Sequence, residues 1–464
     1  MSITRRDFMG GAAAAAWTIV PRHVLGAAGA AAPSDALNVA IVGTGGRGKN
    51  LAEELFRFSD VQIIAIADPN EESDYRPFYY GGTSGRLPVL KLIKDHYGRK
   101  LGDKYAGCRD YIDYRKLLER EKELDAVVIA APDHIHAFAS MAAMSLKKHV
   151  YCEKPLTHSV YEARKVAETA RAMKVATQMG NQGHSAEGIR QICEWIWDGA
   201  IGAVREVYSW SDSEVWTRLM GRPEETPPVP KGLDWDVWLG PAEPRPYHPT
   251  YTPFNWRGWW DFGTGSIGDM GCHNMDPAFW ALKLGHPATI ESSSMPYSKE
   301  TTANGNIVRY EFPARGDLPP VRLTWFDGGI RPPRPQWMDP SEQLGANGII
   351  FIGEKGALMA PGWAGMDGGP RLLPRSLMES YKRPAPTLPR SNGWMRDWVD
   401  ACKGGRAASS NFDVGGHLTE VVLLGNVALR TGKKILWDGV NLKALNAPEA
   451  EQYINPPYRK GWSL

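Results

Sequence analysis

The chain has few cysteines, no long apolar run and no excess of charge of one sign, and each absence excludes a class of protein. Its five cysteines are dispersed over 464 residues in no paired spacing, which argues against a disulfide framework and a structural zinc site. No apolar segment approaches the ~20 residues of a membrane-crossing helix. A formal net charge of +2 does not favour a nucleic-acid partner, because phosphate binding needs a concentrated basic face.

The remaining composition is that of an ordinary globular protein, with 43% hydrophobic and 23% charged residues. A chain of this length is expected to form two domains or more. Tryptophan is abundant, with 18 residues, and several of them crowd between Trp235 and Trp280.

The first 32 residues have the layout of a targeting segment and a linker. Arg5 and Arg6 form a twin-arginine pattern, a weakly apolar stretch follows over 10–20, and small residues dominate over 26–32. We expect a periplasmic or otherwise exported protein, folded before twin-arginine export, with no stable membrane insertion after signal cleavage. The alternative is an alanine-rich tail in which the two arginines occur by chance.

A glycine-rich loop follows the first strand-like segment. The apolar run over 37–42 leads directly into Gly43, Gly45 and Gly48, spaced as G-x-G-x-x-G, and a helical pattern over 49–58 comes next. In this motif the first glycine makes a tight turn, the second admits a pyrophosphate and the third packs helix on strand. The start of the helix would then face the phosphates with free N–H groups.

An acidic residue stands where a dinucleotide motif needs one. A second apolar strand over 61–67 ends at Asp68, twenty positions after Gly48. A carboxylate there accepts hydrogen bonds from the adenosine ribose and repels a 2′-phosphate, so the sequence predicts NAD over NADP. The alternative is a helix-capping aspartate in a nucleotide-free α/β domain.

Strands and helices continue to alternate as far as residue 181. Predicted helices over 114–121, 136–147 and 160–173 are separated by apolar strands, which indicates a doubly wound parallel sheet with its site at the carboxyl ends of the strands. The pattern degrades over 71–107, a stretch we interpret as an insertion on the scaffold. Residues 36–181 are therefore predicted to form a Rossmann domain, and residues 182–464 a second domain.

Further motifs carry a resemblance to a known family. Ala131-Pro132-Asp133-x-x-His136, Glu153-Lys154-Pro155 and Asp269-x-x-x-His273 follow the glycine loop in order. With them the chain resembles the glucose–fructose oxidoreductase, inositol dehydrogenase and MocA family. The resemblance implies an NAD(P)-dependent oxidoreductase, in which the Rossmann domain precedes an α/β domain with a large open, mainly antiparallel sheet that often mediates homo-oligomer formation.

The resemblance also implies which residues bind the cofactor and react. The implied cofactor-binding residues are Gly43, Gly45, Gly46, Arg47, Gly48, Asp68, Pro132, His136, Glu153 and Lys154. Lys154 is expected at a strand's carboxyl end, where it would hold a substrate hydroxyl and where burial would lower its pKa enough for proton transfer. Pro155 is expected to follow a cis peptide bond, as is common at this family position.

Asp269 and His273 are four residues apart and would share one helix face. His273 suits a general base, and Asp269 could orient the substrate or support the imidazolium. Both could instead ligate a metal, but no third ligand is near in sequence, so we expect no metal.

The predicted substrate-binding residues come from two further segments. They are Gln182, His184, Trp256, Arg257 and Trp260. Indole faces stack on sugar C–H surfaces, and an arginine binds ring hydroxyls, so a carbohydrate is the expected substrate. The tryptophans could equally fill the core between the domains. Many relatives carry arginine where this chain has Gln182 or Gly183, so the particular sugar does not transfer.

Three functions remain open. Hydride transfer at a secondary hydroxyl of a sugar, glycoside or cyclitol is the first, with a tightly held cofactor because the periplasm is not expected to supply free nicotinamide. The second is a glycosidase or lyase that acts by transient oxidation and elimination. The third is a binding or scaffold protein with a vestigial Rossmann domain.

Overall fold

The computed structural model describes residues 36–102, 105–212, 219–363, 365–366 and 368–464. The predicted signal peptide over 1–32 lies outside these residues. The strands are β1 (Leu37–Val42), β2 (Val61–Ala67), β3 (Ser73–Asp74), β4 (Thr83–Ser84), β5 (Arg109–Tyr111), β6 (Ala126–Ile129), β7 (His149–Cys152), β8 (Thr177–Met179), β9 (Val204–Ser211), β10 (Thr289–Ser294), β11 (Asn306–Phe312), β12 (Val321–Phe326), β13 (Asn347–Gly353), β14 (Ala357–Pro361), β15 (Arg371–Leu373), β16 (Ile435–Asp438) and β17 (Lys443–Ala444).

The α-helices range from 4 to 20 residues in length. They are α1 (Gly46–Leu55), α2 (Arg86–Leu101), α3 (Tyr114–Arg120), α4 (Asp133–Ser145), α5 (Val160–Met173), α6 (Glu187–Trp197), α7 (Trp235–Leu239), α8 (Gly265–Asn274), α9 (Asp276–Leu282), α10 (Arg375–Ser380), α11 (Trp394–Cys402), α12 (Phe412–Thr431) and α13 (Glu451–Ile454).

The first sheet has the strand order β5-β2-β1-β6-β7-β8, and every neighbouring pair is parallel. Counted along this sheet alone, the order is 3-2-1-4-5-6, that of a Rossmann fold. Strand β6 is buried along its whole length, as expected for a parallel strand covered by helices on both faces. The sequence prediction of a doubly wound parallel sheet is confirmed.

The second sheet has nine strands in the order β15-β14-β13-β9-β12-β11-β10-β16-β17. Its pairs are antiparallel except for β9 and β12, which run parallel. The prediction of a large, mainly antiparallel open sheet is confirmed. Helix α12 is the longest and joins the two halves, because it packs on α5 of the first half and on α8 and β10 of the second.

The stretch over 71–107 is more regular than we predicted. A small hairpin of β3 and β4 opens it, and the 16-residue helix α2 fills most of the rest. Val89, Ile93 and Tyr97 of α2 are buried, which puts an apolar side chain at every fourth position. The sequence contains this spacing, but the lysines and arginines between these positions make it hard to recognise.

The stretch over 371–390 is rich in proline, a composition typical of surface loops, but it is not a loop throughout. It contains β15 and α10, which means that this proline-rich segment contributes an edge strand to the second sheet.

In the described residues no helix combines the length and the apolar character needed to cross a membrane. All five cysteines are described, and none forms a disulfide: Cys108, Cys152, Cys193 and Cys272 are buried and Cys402 is half-buried.

Candidate active site

The glycine loop has the backbone geometry that its sequence predicts. Gly43 has a φ of +86°, which favours glycine, and it makes the tight turn after β1. A Cβ on Gly48 would lie 2.0 Å from the carbonyl oxygen of Gly43, so this position needs a glycine for helix and strand to pack. Helix α1 therefore begins next to the carboxyl end of β1, with its N-terminus facing the loop.

Asp68 lies at the carboxyl end of β2, beside the glycine loop. Its Oδ2 accepts hydrogen bonds from the backbone N–H of Thr44 at 2.6 Å and from the Thr44 hydroxyl at 3.2 Å, and its Oδ1 accepts one from the Asn70 N–H at 2.8 Å. Burial raises the pKa of Asp68, and these hydrogen bonds oppose the rise. The carboxylate is thus fixed at the edge of the cleft that starts at the loop.

A narrow cleft of about 90 Å³ runs along the glycine loop. Its walls include Gly45, Gly46, Asp68 and Pro132. A Cβ on Gly45 would lie 2.4 Å from the hydroxyl of Tyr75, and one on Gly46 would lie 2.3 Å from the ring of Tyr80. These two tyrosines cover the loop from the hairpin side.

The residues of the cleft fit an NAD molecule in their chemistry. The glycine loop and the start of α1 present backbone N–H groups to a pyrophosphate, and Asp68 presents a carboxylate to ribose hydroxyls. The side-chain-free surface of Gly45 is the place where a pyrophosphate approaches in this fold, and here Tyr75 lies against it.

Arg47 and Glu153, both predicted to bind the cofactor, bind each other. The Arg47 Nε donates to Glu153 Oε1 at 2.7 Å, and the Tyr151 hydroxyl donates to the same oxygen at 2.9 Å. Although burial alone would lower the pKa of Arg47, the charge of Glu153, the hydrogen bond to Glu153 and the nearby Tyr151 and Tyr80 together keep it above its usual value. This pair ties the glycine loop to the strand end that carries Lys154.

His136 fixes two of the motifs to each other. Its Nδ1 lies 2.7 Å from the carbonyl oxygen of Pro155, and its Nε2 lies 2.8 Å from that of Ala131. The Lys154–Pro155 peptide bond is cis, in agreement with the expectation from the family. The structure thus places His136 where it positions the segment of Lys154.

Lys154 forms an ion pair with Asp269 across the two halves of the chain. The Lys154 Nζ donates to Asp269 Oδ1 at 2.6 Å, and the Arg257 Nε lies 3.8 Å from the same oxygen. Burial by itself lowers the pKa of Lys154, but the charge of Asp269, the hydrogen bond to Asp269 and the charge of Glu153 together outweigh burial and leave that pKa raised. This result corrects the prediction of a lowered lysine pKa: Lys154 stays an ammonium and is suited to hold a hydroxyl.

His273 lies one helical turn after Asp269 on α8 and is a neutral imidazole. Burial, then the charge of Lys154, lowers the pKa of His273 to about 3. Its Nδ1 is buried and has no hydrogen-bond partner among the described residues. Its ring stacks on Trp363, with centroids 4.8 Å apart and an angle of 17° between the planes. The ring is therefore held by stacking, and it can accept a proton.

Lys154, Asp269 and His273 line one cavity of about 460 Å³. The cavity shares six lining residues with the cleft along the glycine loop, so the two are continuous: Arg47, Tyr80, Ala130, Ala131, Trp256 and Arg257. The structure therefore brings the three predicted reactive residues to the end of the predicted nucleotide cleft.

Three of the five predicted substrate-binding residues line this cavity. Gln182 and Trp256 form part of its wall, and Arg257 stands between the rings of Phe254 and Trp256, with its guanidinium carbon 4.2 and 4.3 Å from their centroids. Arg257 also borders the cleft, at the junction of the two spaces.

His184 and Trp260 lie elsewhere, which corrects our prediction for both. His184 is 3% exposed, its Nδ1 lies 2.8 Å from Asp276 Oδ2, and its ring stacks on Trp280. It is two residues after Gln182 in a 3-10 turn, where a rotation of about 120° per residue directs the two side chains apart.

Trp260 is 4% exposed and borders a separate cavity of about 320 Å³. It follows Trp256 by four residues, but a 3-10 turn over Asn255–Gly258 intervenes, and three residues per turn do not put such a pair on one face.

Sequence reasoning missed Tyr80 and Trp363 in the walls of this site. Tyr80 belongs to the stretch that we interpret from sequence as an insertion. Trp363 follows β14 by two residues and is far along the chain from every motif. A tryptophan at a strand end is a weak signal, and its contact with His273 depends on the pairing of the second sheet. Within the described residues, no three His, Cys, Asp or Glu side chains gather to hold a metal.

The strand order, the glycine loop and the second sheet together define a dinucleotide-binding oxidoreductase fold. The model of the oxidoreductase family with an NAD-binding Rossmann fold matches residues 37–181, and the model of that family's C-terminal α/β domain matches residues 203–312. Together the matches cover more than half of the chain, which belongs to the Gfo/Idh/MocA oxidoreductase family.

Individual relatives are similar over shorter segments. Inositol 2-dehydrogenase of Salmonella typhimurium is 34% identical over 102 residues, 22% of this chain and 30% of the relative. A glycosyl hydrolase family 109 protein of Shewanella putrefaciens is 27% identical over 169 residues, 36% of this chain and 33% of the relative. The matched segments thus span about a third of the length of these relatives.

Solved structures resemble the whole fold. The WlbA dehydrogenase of Bordetella pertussis, crystallised in complex with NADH and UDP-GlcNAcA, is 15% identical and superposes with a TM-score of 0.56. The superposition covers 87% of this chain and 99% of that one. At this identity the likeness shows the shared fold.

Proposed function

We propose that the protein transfers hydride between NAD and a secondary hydroxyl of a sugar, glycoside or cyclitol. The observation that carries the proposal is the junction of the nucleotide cleft with a cavity in which Lys154, Asp269 and His273 converge. The similarity to an inositol dehydrogenase supports the substrate class. Asp68 at the edge of the cleft supports NAD over NADP.

The residues of the cavity divide the reaction among them. The Lys154 ammonium binds the reacting hydroxyl oxygen, and Asp269 holds that ammonium in place. His273, neutral, accepts the hydroxyl proton as the C–H bond breaks and the carbonyl forms. NAD, when bound, accepts the hydride with its electron pair. In the reverse direction His273 returns the proton to the alkoxide oxygen.

The proposal also includes export, retention of the cofactor and a homo-oligomer. The twin-arginine pattern at Arg5 and Arg6 supports export. Because an exported enzyme is not expected to find free NAD, the cofactor would stay bound and be recycled in one active site. The resemblance to the family supports a homo-oligomer.

A redox-neutral glycosidase is the second candidate function. The similarity to a glycosyl hydrolase family 109 protein favours it. Oxidation of one hydroxyl would acidify the neighbouring C–H, elimination would release the leaving group, water would add to the unsaturated ketone that remains, and the bound NADH would then return its hydride to the carbonyl carbon.

Nucleotide and product analysis tests the proposal. Denaturation of the purified protein should release NAD, measured by ultraviolet absorbance and mass, and incubation with sugars should yield a ketone or lactone. Cleaved glycoside without net NADH would favour the glycosidase. Lys154→Ala and His273→Ala should abolish turnover while NAD stays bound; unchanged turnover in both would contradict the catalytic assignment and favour a purely binding role.

A further inference from the structure

The hairpin between β3 and β4 covers the glycine loop from outside. Tyr75 and Tyr80, on its tip over 75–82, lie so close to Gly45 and Gly46 that neither glycine has room for a side chain. The Tyr75 hydroxyl also faces the backbone N–H of Gly46 at the start of α1. That N–H belongs to the group that binds phosphate oxygens in this fold, so the phenol oxygen stands where a phosphate oxygen would be bound.

The cleft under the hairpin is too small for its expected ligand. Its volume is about 90 Å³, whereas ligand pockets commonly measure ~300–1,000 Å³. The glycine loop below has little room to recede, because a Cβ on Gly43 would lie 2.6 Å from backbone atoms of Ala130 and Ala131, so the backbone behind the loop is close. Entry of a dinucleotide therefore requires the tip of the hairpin to move.

The base of the hairpin is fixed and its tip is loosely held. At the base, the Gly85 N–H and the Ser84 hydroxyl both donate to the carbonyl oxygen of Thr44, at 2.9 and 2.8 Å. At the tip, Phe78 stacks on Phe254 of the second half, with centroids 4.4 Å apart. Ring contacts of this kind separate without leaving a buried polar group unpaired.

One polar contact among the described residues links the tip to the second half: the Tyr75 hydroxyl donates to the carbonyl oxygen of Pro253 over 3.4 Å, a long hydrogen bond. The turn of the hairpin contains Gly81 and Gly82, at φ +62° and +65°, so it tolerates backbone change. The tip can thus lift about a fixed base, at the cost of the ring contacts that Phe78, Tyr79 and Tyr80 make with Phe254.

We propose that the hairpin over 73–84 is a clasp for the dinucleotide: Tyr75 and Tyr80 lie over the phosphate site, swing out to admit NAD and close over it. This inference rests on the proposed function, because it takes NAD as the ligand. It also supplies what a closed redox cycle needs, since a clasp that must open for every exchange retains the cofactor between turnovers.

The test is the kinetics of NADH binding to protein freed of nucleotide, followed by energy transfer from tryptophan to NADH in a stopped-flow instrument. Tyr80→Ala should raise the association and the dissociation rate constants together, each by tenfold or more, with a smaller change in Kd. Tyr75→Phe removes the hydroxyl that faces Gly46 and keeps the ring, so it should raise the association rate constant. Arg76→Ala, on the same tip but exposed and outside the cleft, is the matched control.

The outcomes distinguish a failure of the clasp from a failure of the proposed function. Unchanged rate constants in both tyrosine variants would overturn the clasp. A rise in the dissociation rate constant alone, with a proportional rise in Kd, would also overturn it, because that result is expected of a residue that only contacts the bound nucleotide. Wild-type protein that binds no NADH would overturn the proposed function and the clasp with it.

Discussion

The Lys154 ammonium lies 2.6 Å from the Asp269 carboxylate, although 115 positions separate the two residues in sequence. The pair joins the end of β7 in the first sheet to α8, the helix that packs under the second. It therefore sets the geometry of the cavity and the charge of the lysine, and replacement of either partner should affect both.

Lys154→Met should lower kcat/KM for a sugar by ~10²–10⁴-fold, the usual range for a group that assists proton transfer or holds the reacting oxygen. NAD binding should change little, because Lys154 is one of many cleft and cavity residues. Steady-state kinetics and NADH titration measure the two effects. Lys91→Met, on an exposed lysine paired with Asp95, is the control, and equal losses of activity in both variants would contradict the role of Lys154.

The pH profile should report the burial of His273. Its pKa is lowered to about 3, so the ring stays neutral, and able to accept a proton, from pH 8 down to pH 5; only below that should protonation reduce kcat/KM. Trp363→Ala opens the stacked face of the ring to water and removes part of the desolvation that lowers the pKa. The acid limb of the profile should then move upward, toward the ordinary value of ~6.5.

Trp363→Phe keeps a stacked aromatic ring and should leave that limb near its original place. An acid limb at the same pH in the alanine variant would show that Trp363 does not shield His273.

The Arg47–Glu153 pair should contribute to folding stability more than surface ion pairs do. Arg47→Met leaves a Glu153 side chain that is 6% exposed without its cation, and loss of one partner of a buried pair costs ~3–5 kcal/mol. Arg47→Met with Glu153→Gln should recover part of the loss. Denaturant unfolding of the four proteins of this double-mutant cycle gives the coupling, and additive effects would argue against it.

Asp68→Asn should relax the preference for NADH over NADPH. The amide oxygen can still accept from the Thr44 N–H, so the loop keeps its shape, while the charge that repels a 2′-phosphate is gone. We expect the ratio of the two Kd values to shift by tenfold or more toward NADPH, as measured by fluorescence titration. Glu72→Gln, exposed on the next segment, should leave the ratio unchanged.

The sequence contains enough information for the first sheet and for the position of its motifs. Strands β1 and β2 have the predicted limits, because each is a β-branched or apolar run bounded by turn or loop residues. Helix α2 was missed since its narrow apolar face lies among many lysines and arginines.

Site residues were predictable when a local motif carried them and less so otherwise. Lys154, Asp269 and His273 come together as the motifs imply. The prediction was wrong for His184, which lies in a 3-10 turn, and for Trp260, which follows another. Trp363 meets His273 only through the pairing of β13 with β14 and β9, a relation between distant segments that no local pattern encodes.

The five cysteines form no disulfide, so the stability of the fold does not rely on a covalent cross-link. Burial raises the pKa of Cys108 and of Cys272 to about 12, so reactive thiolate is scarce at both. With no covalent bridge to make or to lose, the melting temperature should be the same with and without dithiothreitol. The folding and stability of this chain should therefore not depend on the redox potential of its surroundings.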